Sequence, residues 1–558
     1  MITCHFSRGD CGLYADIIIK GNAIFTGNES NPINGAVVIK NDRILCVGEI
    51  ENVNDYIGPQ TKIIHAEDKL VLPGFHDFHL HLVLGSMFSE FTTLTECTSE
   101  LEAVQKIYQY AEKNPNEPWV LGFGWHHVRW PGKKTPTRHS LDQLIPNRPV
   151  FLLNEEAHSA WVNSEALTVL NITKDTQDPP FGLIERDQNG EPTGFLYETA
   201  VKLVAEKAYQ FSEEKQRKLM DAFLKKAASH GITSVSDMLP LPGFELGSPS
   251  FYANYEREGK LTTRIHFLSA LDGDLSKAKS YRELYKSDKL QFSGLKQFID
   301  GVPNTYTGYL IEPYSDRPET KGGILFEEET YMSWIKEADK EGFRIRLHAC
   351  GDGAVRFGLD CYEAAQKQNG KRDSRHTIEH IEVIHPDDIN RFEELQVIAS
   401  IQPEHMSAES MEGHTYLERL GPERSRYTWP IGSLKRSGAS IAFSSDYPVV
   451  DMNPMIEIYR AVTRRNADGT PEEGWNPQEK VSLAEALKFY TKAPAYGNFR
   501  ENDLGTVEAG KKADVIILDR NLFSVDVKEI LEAKVEMTIM DGNIVYSRGQ
   551  TKRLEGAM

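Results

Sequence analysis

Leu72-Pro73-Gly74-Phe75-His76-Asp77-Phe78-His79-Leu80-His81 is the stretch on which the reading of this chain turns. A short apolar strand candidate begins near Val71, is punctuated by Pro and Gly, and runs out into two histidines two positions apart. On an extended strand end, residues i and i+2 point to the same side, so His79 and His81 converge. Two imidazoles at the C-terminal end of a first barrel strand make a ready pair of metal ligands. An isolated His-x-His is as easily a pair of polar loop residues; this one gains weight from the strand that leads into it and from similar polar residues at later strand ends.

Working outward, the texture from about residue 71 to 490 alternates strand with helix. Strand candidates begin near Val71, Ile232, Arg264, Leu295, Arg344, His376, Val397 and Ser440. Helical patterns lie between most of them, as at Ser212–His230 and Glu327–Glu341, the second stopping against Gly342. This alternation predicts an α/β fold, a (β/α)8 TIM-type barrel over 71–494. The first two strands are too far apart for a minimal barrel. An inserted cap subdomain is therefore expected at about 87–214, and its Pro-Trp, Trp-Pro-Gly and Asp-Pro-Pro punctuation fits a folded unit.

The two chain ends resemble each other. Asp16–Phe25, Gly35–Lys40 and Ala513–Asp519 are short β-branched runs, and Val535, Met537 and Ile539 alternate with polar residues before Asp541-Gly542. They predict one small β-sandwich domain assembled from residues 1–70 and 495–558. Composition agrees with this multi-unit reading: 558 residues, 40% hydrophobic and 26% charged, exceed one ordinary domain and match a soluble globular balance. A net charge of −19 argues against a general nucleic-acid or anionic-membrane partner. No run approaches the ~18 apolar residues of a membrane helix. Met1–Arg8 lacks a basic region leading into an apolar stretch, so no signal peptide is expected. Six cysteines without CxxC spacing suggest neither a disulfide scaffold nor a zinc finger, and a reducing cytoplasm is the simplest expectation.

Further polar groups stand where apolar strands give out. His348 ends Phe343–His348, His380 ends Arg375–His380, and Asp446 ends Ala439–Asp446. In a barrel those positions ring the mouth of the active site. Lys296, in Gly294-Leu295-Lys296-Gln297-Phe298-Ile299-Asp300-Gly301, is ambiguous. A desolvated, neutral amine reacts with carbon dioxide to a carbamate whose two oxygens can bridge divalent metals. The same lysine could instead pack its stem and extend its amine to solvent.

These residues bring a resemblance with them. The stretch Pro73–His81 is similar to the opening signature of the amidohydrolase superfamily of metal-dependent hydrolases. More closely, the chain resembles amidohydrolase family 3, the YtcJ-like branch that includes N-substituted formamide deformylase. The resemblance rests also on Leu141-Asp142 with Arg148-Pro149-Val150, Trp161–Leu167, Gly190–Leu196, Lys296–Gly301, His348–Asp352, Ile378-Glu379-His380, Gln402–His405 and Ser445–Pro448. It implies metal ligands His79, His81, His348 and His380, a bridging N6-carboxylysine at Lys296, and Asp446 as ligand and catalytic proton shuttle. Two departures stand out: Ala157 precedes His158 where the family often has Gly, and Gln297-Phe298-Ile299 replaces the usual Phe-Ala stretch.

The expected activity is hydrolysis of a carbon–nitrogen bond, amide or formamide type, in a small molecule by a metal-activated water. Zinc, two ions per chain, suits the imidazole-rich set. Attack on another bond (an ester, a cyclic amide, or deamination) and a non-catalytic scaffold of the same fold are the alternatives. Trp125, His158, Glu198 and His405 are candidates for lining the substrate pocket, whereas His126 and His127 read as surface or packing residues. Dimerisation is common in such folds and a homodimer is one expectation, although no stretch marks an interface.

Overall fold

The computed structural model describes residues 14–155, 157–241, 244–407 and 414–549. Its centre is a barrel of parallel strands: β1 (Phe75–Leu80), β2 (Ile232–Met238), β3 (Arg264–Ala270), β4 (Leu290–Phe298), β5 (Ile345–Ala349), β6 (Thr377–His380), β7 (Ile398–Ile401) and β8 (Ile441–Phe443). They are hydrogen-bonded in chain order as one eight-stranded sheet, and β8 returns to lie beside β1. Most strands are buried from end to end, as expected when helices cover the outer face and side chains fill the interior. Alternation sorts their residues: Ile345 and Leu347 join the apolar layer under the helices, while Arg346 and His348 take the other face.

The helices are locally well specified. Glu213–Ser229 starts at Ser212, whose side chain accepts from the Lys215 N–H, and carries Glu213 and Glu214 in its first turn. Glu328–Lys340 buries Tyr331, Ile335 and Ala338 against the barrel. Among the described residues no helix is long and apolar enough to cross a membrane.

Both chain ends share a seven-stranded sheet, in which Lys62–Pro73 lies between Ile17–Ile24 and Val515–Leu518. Its residues alternate between two apolar clusters, with Ile17, Ile19, Val37 and Ile39 in one and Ile18, Ala36 and Val38 in the other. The sheet curls: Arg43, on its edge strand, bridges to Lys512 just before Val515. The strand expected near Val71 is therefore two strands. The run to Pro73 belongs to the terminal sheet, and β1 begins at Phe75. Gly74 makes the passage, because a Cβ there would lie 2.2 Å from Thr233 Oγ1 on β2.

Between β1 and β2 a six-stranded sheet runs from Thr92 to Glu198. It has apolar clusters on both faces. Leu121, Phe123, Phe151 and Leu153 pack with Leu84, Met87 and Leu241 of the barrel side, and Val120, Trp130, Val150 and Leu152 pack on the other face. This is the expected folded insertion, seated over the barrel mouth.

Candidate active site at the barrel mouth

His79 is the penultimate residue of β1, and His81 follows the strand as the cap of helix Leu82–Glu90. Their Nε2 atoms stand 3.3 and 3.5 Å from the same oxygen, Asp446 Oδ1. From the opposite side His380 Nδ1 and His405 Nε2 lie 3.8 and 3.7 Å from Asp446 Oδ2. The His348 ring sits 4.5 Å from that of His380, and the His79 ring 4.9 Å from it. The polar groups read at separate strand ends are thus gathered around one carboxylate.

The backbone helps to gather them. His380 (φ 75°), Ile381 (φ 49°) and Asp446 (φ 57°) adopt the left-handed conformation that non-glycine residues avoid. Such positions cost on the order of 1–3 kcal/mol each and persist where surrounding contacts enforce them. At Asp446 the enforcement is visible, since its N–H donates to His79 O at 2.8 Å. Behind it Asp77 accepts from the Ser445 hydroxyl at 2.5 Å and N–H at 3.1 Å. Burial pushes the Asp77 carboxyl up to about 7, against those bonds. Asp300 ties the connection after β4 to the loop after β5 by accepting from the N–H groups of Tyr309 in the first and of Cys350 and Gly351 in the second.

The titratable groups of the site are buried, and burial is the largest influence on His79, His348, His380 and Asp446. Burial lowers His79 to about 4, with the Lys296 cation adding to the fall, and drives His348 and His380 down as well. Neutral imidazoles are the form that donates a lone pair. Burial disfavours the Asp446 charge too, but His79, His81 and His405 outweigh it and hold the carboxyl below its usual range. His405 goes the other way, since Glu382 and Asp446 raise it against burial. Lys296, near the end of β4, is 1% exposed, and its Nζ has no hydrogen-bond partner among the described residues. Burial lowers its ammonium to about 8, Arg346 assisting and Glu379 opposing.

Two candidate donor groups share Asp446, one with His79 and His81 and the other with His380 and His405. Within each, the donor atoms lie within 4.8 Å of one another. A set of imidazole nitrogens and carboxylate oxygen, beside a buried amine with no hydrogen-bond partner among the described residues, fits a divalent metal. His405, read as a substrate contact, thus stands at the same distances as the histidines read as ligands.

The site opens into a cavity of about 150 Å³ walled by barrel and insertion. His158 lines it, its Nδ1 2.8 Å from Glu198 Oε2 and its ring 5.7 Å from His348. Glu198 is buried behind His158. Trp125 is elsewhere: wholly buried, it packs on Trp130, Trp161 and Phe195 and donates its indole N–H to Leu152 O at 2.9 Å. The expectation that it lines the pocket is corrected for a local reason. Strict alternation would set Trp125 beside Phe123 on the barrel side, but the register slips at Gly124 (φ 90°), a bulge that turns Trp125 to the far face. His126, read as surface or packing, lines the cavity instead, with Arg129 and Glu155. Glu379, Glu382 and Cys350 are further site residues that no strand-end rule singles out.

A parallel barrel with imidazoles and a carboxylate converging at its C-terminal mouth is the architecture of a metal-dependent hydrolase. Residues 62–546 match the model of the amidohydrolase family, and the chain belongs to that family. It is 31% identical over 544 residues to Protein LONG AFTER FAR-RED 3 of Arabidopsis thaliana, covering 96% of this chain and 92% of that one. It is 27% identical to N-substituted formamide deformylase of Arthrobacter pascens, covering 96% and 98%. Among solved structures, an uncharacterized metal-dependent hydrolase from Pyrococcus horikoshii superposes with a TM-score of 0.73 at 26% identity, covering 92% of this chain and 99% of that one.

Proposed function

We propose that this enzyme hydrolyses a carbon–nitrogen bond of the amide or formamide type in a small molecule. The supporting observation is the Asp446 carboxylate at 3.3–3.8 Å from nitrogens of His79, His81, His380 and His405. His79, His81, His348, His380 and Asp446 would hold the metal, and zinc suits them best. When bound, a divalent metal lowers the pKa of water toward ~7 and polarises a carbonyl oxygen. Asp446 takes the proton of the attacking water and returns it to the leaving nitrogen, which needs one carboxylate within reach of both. His405, drawn toward its protonated form, faces the substrate oxygen, and His158, braced by Glu198, contacts the substrate from the cap. Lys296 has the buried, low-pKa amine from which a carbamate forms: nitrogen bonds to carbon dioxide and releases a proton, leaving one negative charge shared by two oxygens that would serve as metal ligands. Residues 75 to about 494, with the cap at about 87–214, form the catalytic unit in this reading, and the described residues 14–73 and 495–549 a structural domain beside it. The relationship to a formamide deformylase supports the choice of bond.

The test is turnover by zinc-loaded protein of N-formyl amines and simple amides, against esters, cyclic imides and amino-substituted rings. Release of amine from the first two is expected. Turnover confined to the others, or none with metal bound, overturns the bond assignment. Metal content of Lys296→Ala beside wild type tests the bridge: about two ions per chain, falling in the variant, is expected. About one ion, unchanged in the variant, refutes it.

A further inference from the structure

The proposed reaction makes no use of Glu379, yet both oxygens of this wholly buried carboxylate are engaged. Oε2 accepts from His79 Nδ1 at 2.8 Å, and Oε1 accepts from Arg346 Nε. Arg346 is equally buried. Its Nη2 donates to Phe78 O at 2.7 Å, and its guanidinium lies 4.0 Å from the centre of the Phe78 ring. The chain of contacts therefore leaves β1 at His79, crosses β6 and β5, and closes on β1 again at Phe78. A buried ion pair gives up more hydration than its attraction returns unless further bonds complete it, so its presence here asks for a use.

Two other histidines read as ligands are braced by neutral oxygens. His81 Nδ1 meets the main-chain oxygen of Met238 at 2.8 Å. His380 Nδ1 meets the neutral amide oxygen of Gln402 at 2.9 Å, and that amide donates to Ser444 Oγ at 2.8 Å. His348 Nδ1 lies 3.3 Å from Asp300, whose oxygens already accept main-chain N–H groups.

We infer that Glu379, backed by Arg346, is a positioning residue for the metal centre, fixing the proton of His79 on Nδ1 so that Nε2 presents its lone pair beside Asp446. A carboxylate on the far nitrogen also makes the imidazole a stronger donor than an amide or carbonyl oxygen does. The inference rests on the metal-dependent reading of the site.

The experiment is zinc affinity by chelator competition on the full-length apoprotein. Wild type is compared with Glu379→Gln and Gln402→Ala, with histidine nitrogen NMR of each and of His79→Gln for assignment. Glu379→Gln should bind zinc about 10–100-fold more weakly and lose the far-downfield His79 Nδ1–H signal. Gln402→Ala should lose less affinity and leave that signal in place. Zinc affinity of folded Glu379→Gln within about threefold of wild type, or a wild-type His79 carrying its proton on Nε2, overturns the inference. The wild-type spectrum decides alone if Glu379→Gln fails to fold. Wild type that binds no zinc but keeps Nδ1–H refutes the metal reading and this inference with it; bound zinc with an Nε2 proton in the apoprotein refutes only this inference.

Discussion

Gly85→Ala puts the coupling between helix Leu82–Glu90 and the Asp446 carboxylate to a steric test. Gly85 lies one turn into helix Leu82–Glu90, its N–H on His81 O at 2.7 Å. A Cβ at this position would stand 2.3 Å from Cδ1 and Cε1 of Tyr447. Carbon atoms in contact keep ~3.5–4.0 Å apart, so ring and helix must separate by about 1 Å or more. Tyr447 has little room to yield: it is 4% exposed, and Lys226 Nζ lies 4.2 Å from its ring centre. Its carbonyl also accepts from the His81 N–H at 2.8 Å, and it follows Asp446 directly. Overpacking of this kind destabilises by about 1–3 kcal/mol. The same displacement, passed to Asp446 or His81, lowers turnover on the order of 100-fold, as a 1 Å misplacement does in a positioned site. Thermal denaturation and kcat/KM on the substrate found by the panel are the assays. Tyr447→Leu in the same chain relieves the clash, so the double variant should recover part of both losses, a coupling that additive sites lack. Gly85→Ala with unaltered melting and turnover within about threefold of wild type would refute the argument.

Other variants probe separate links. Asp446→Asn should leave melting unchanged and lower kcat about 10²–10⁴-fold; near-normal turnover removes the proton-shuttle role. Ala157 has φ 59°, a conformation natural to the Gly that the family often places there, so Ala157→Gly should raise stability by up to about 1 kcal/mol in chemical denaturation; a loss of stability contradicts strain at that residue. Asp339 is buried, which opposes its charge, but bonds from His376 and Asn369 and the nearby Arg372 hold its carboxyl down at about 2. A folded pKa below the unfolded value of ~3.9 stabilises above that pH, by about 2 kcal/mol, and the contribution is lost as pH falls from ~4 through about 2. Asp339→Asn should therefore unfold more easily at pH 7 and lose less stability than wild type over that acid range; equal acid slopes refute the assignment.

The parts of the fold that were legible in the sequence are those with a regular period. Apolar runs, four of them ending in His or Asp, marked the barrel strands, and the distance between β1 and β2 marked the insertion. The first boundary was misjudged because Val71–Pro73 and Phe75–Leu80 are both fully buried and differ in no pattern. What separates them is the close approach of Thr233 to Gly74, a contact between residues far apart in the chain.

The site was less legible for a related reason: its decisive residues stand where the period breaks. Glu379 and His380 are adjacent, so alternation sends them to opposite faces. The left-handed turn at His380 and Ile381 lets both serve the site, one as His79's partner and one as its neighbour. Trp125 and His126 exchange their expected roles through the single bulge at Gly124. In both cases the side-chain type was informative and its direction was not. Direction depends on one or two backbone angles that tertiary contacts select, as the Trp125 indole does in reaching Leu152 O. Histidines at strand ends escape this ambiguity because a strand end at the barrel mouth leaves a side chain one place to go. A cap residue has two buried faces to choose between, and only packing decides.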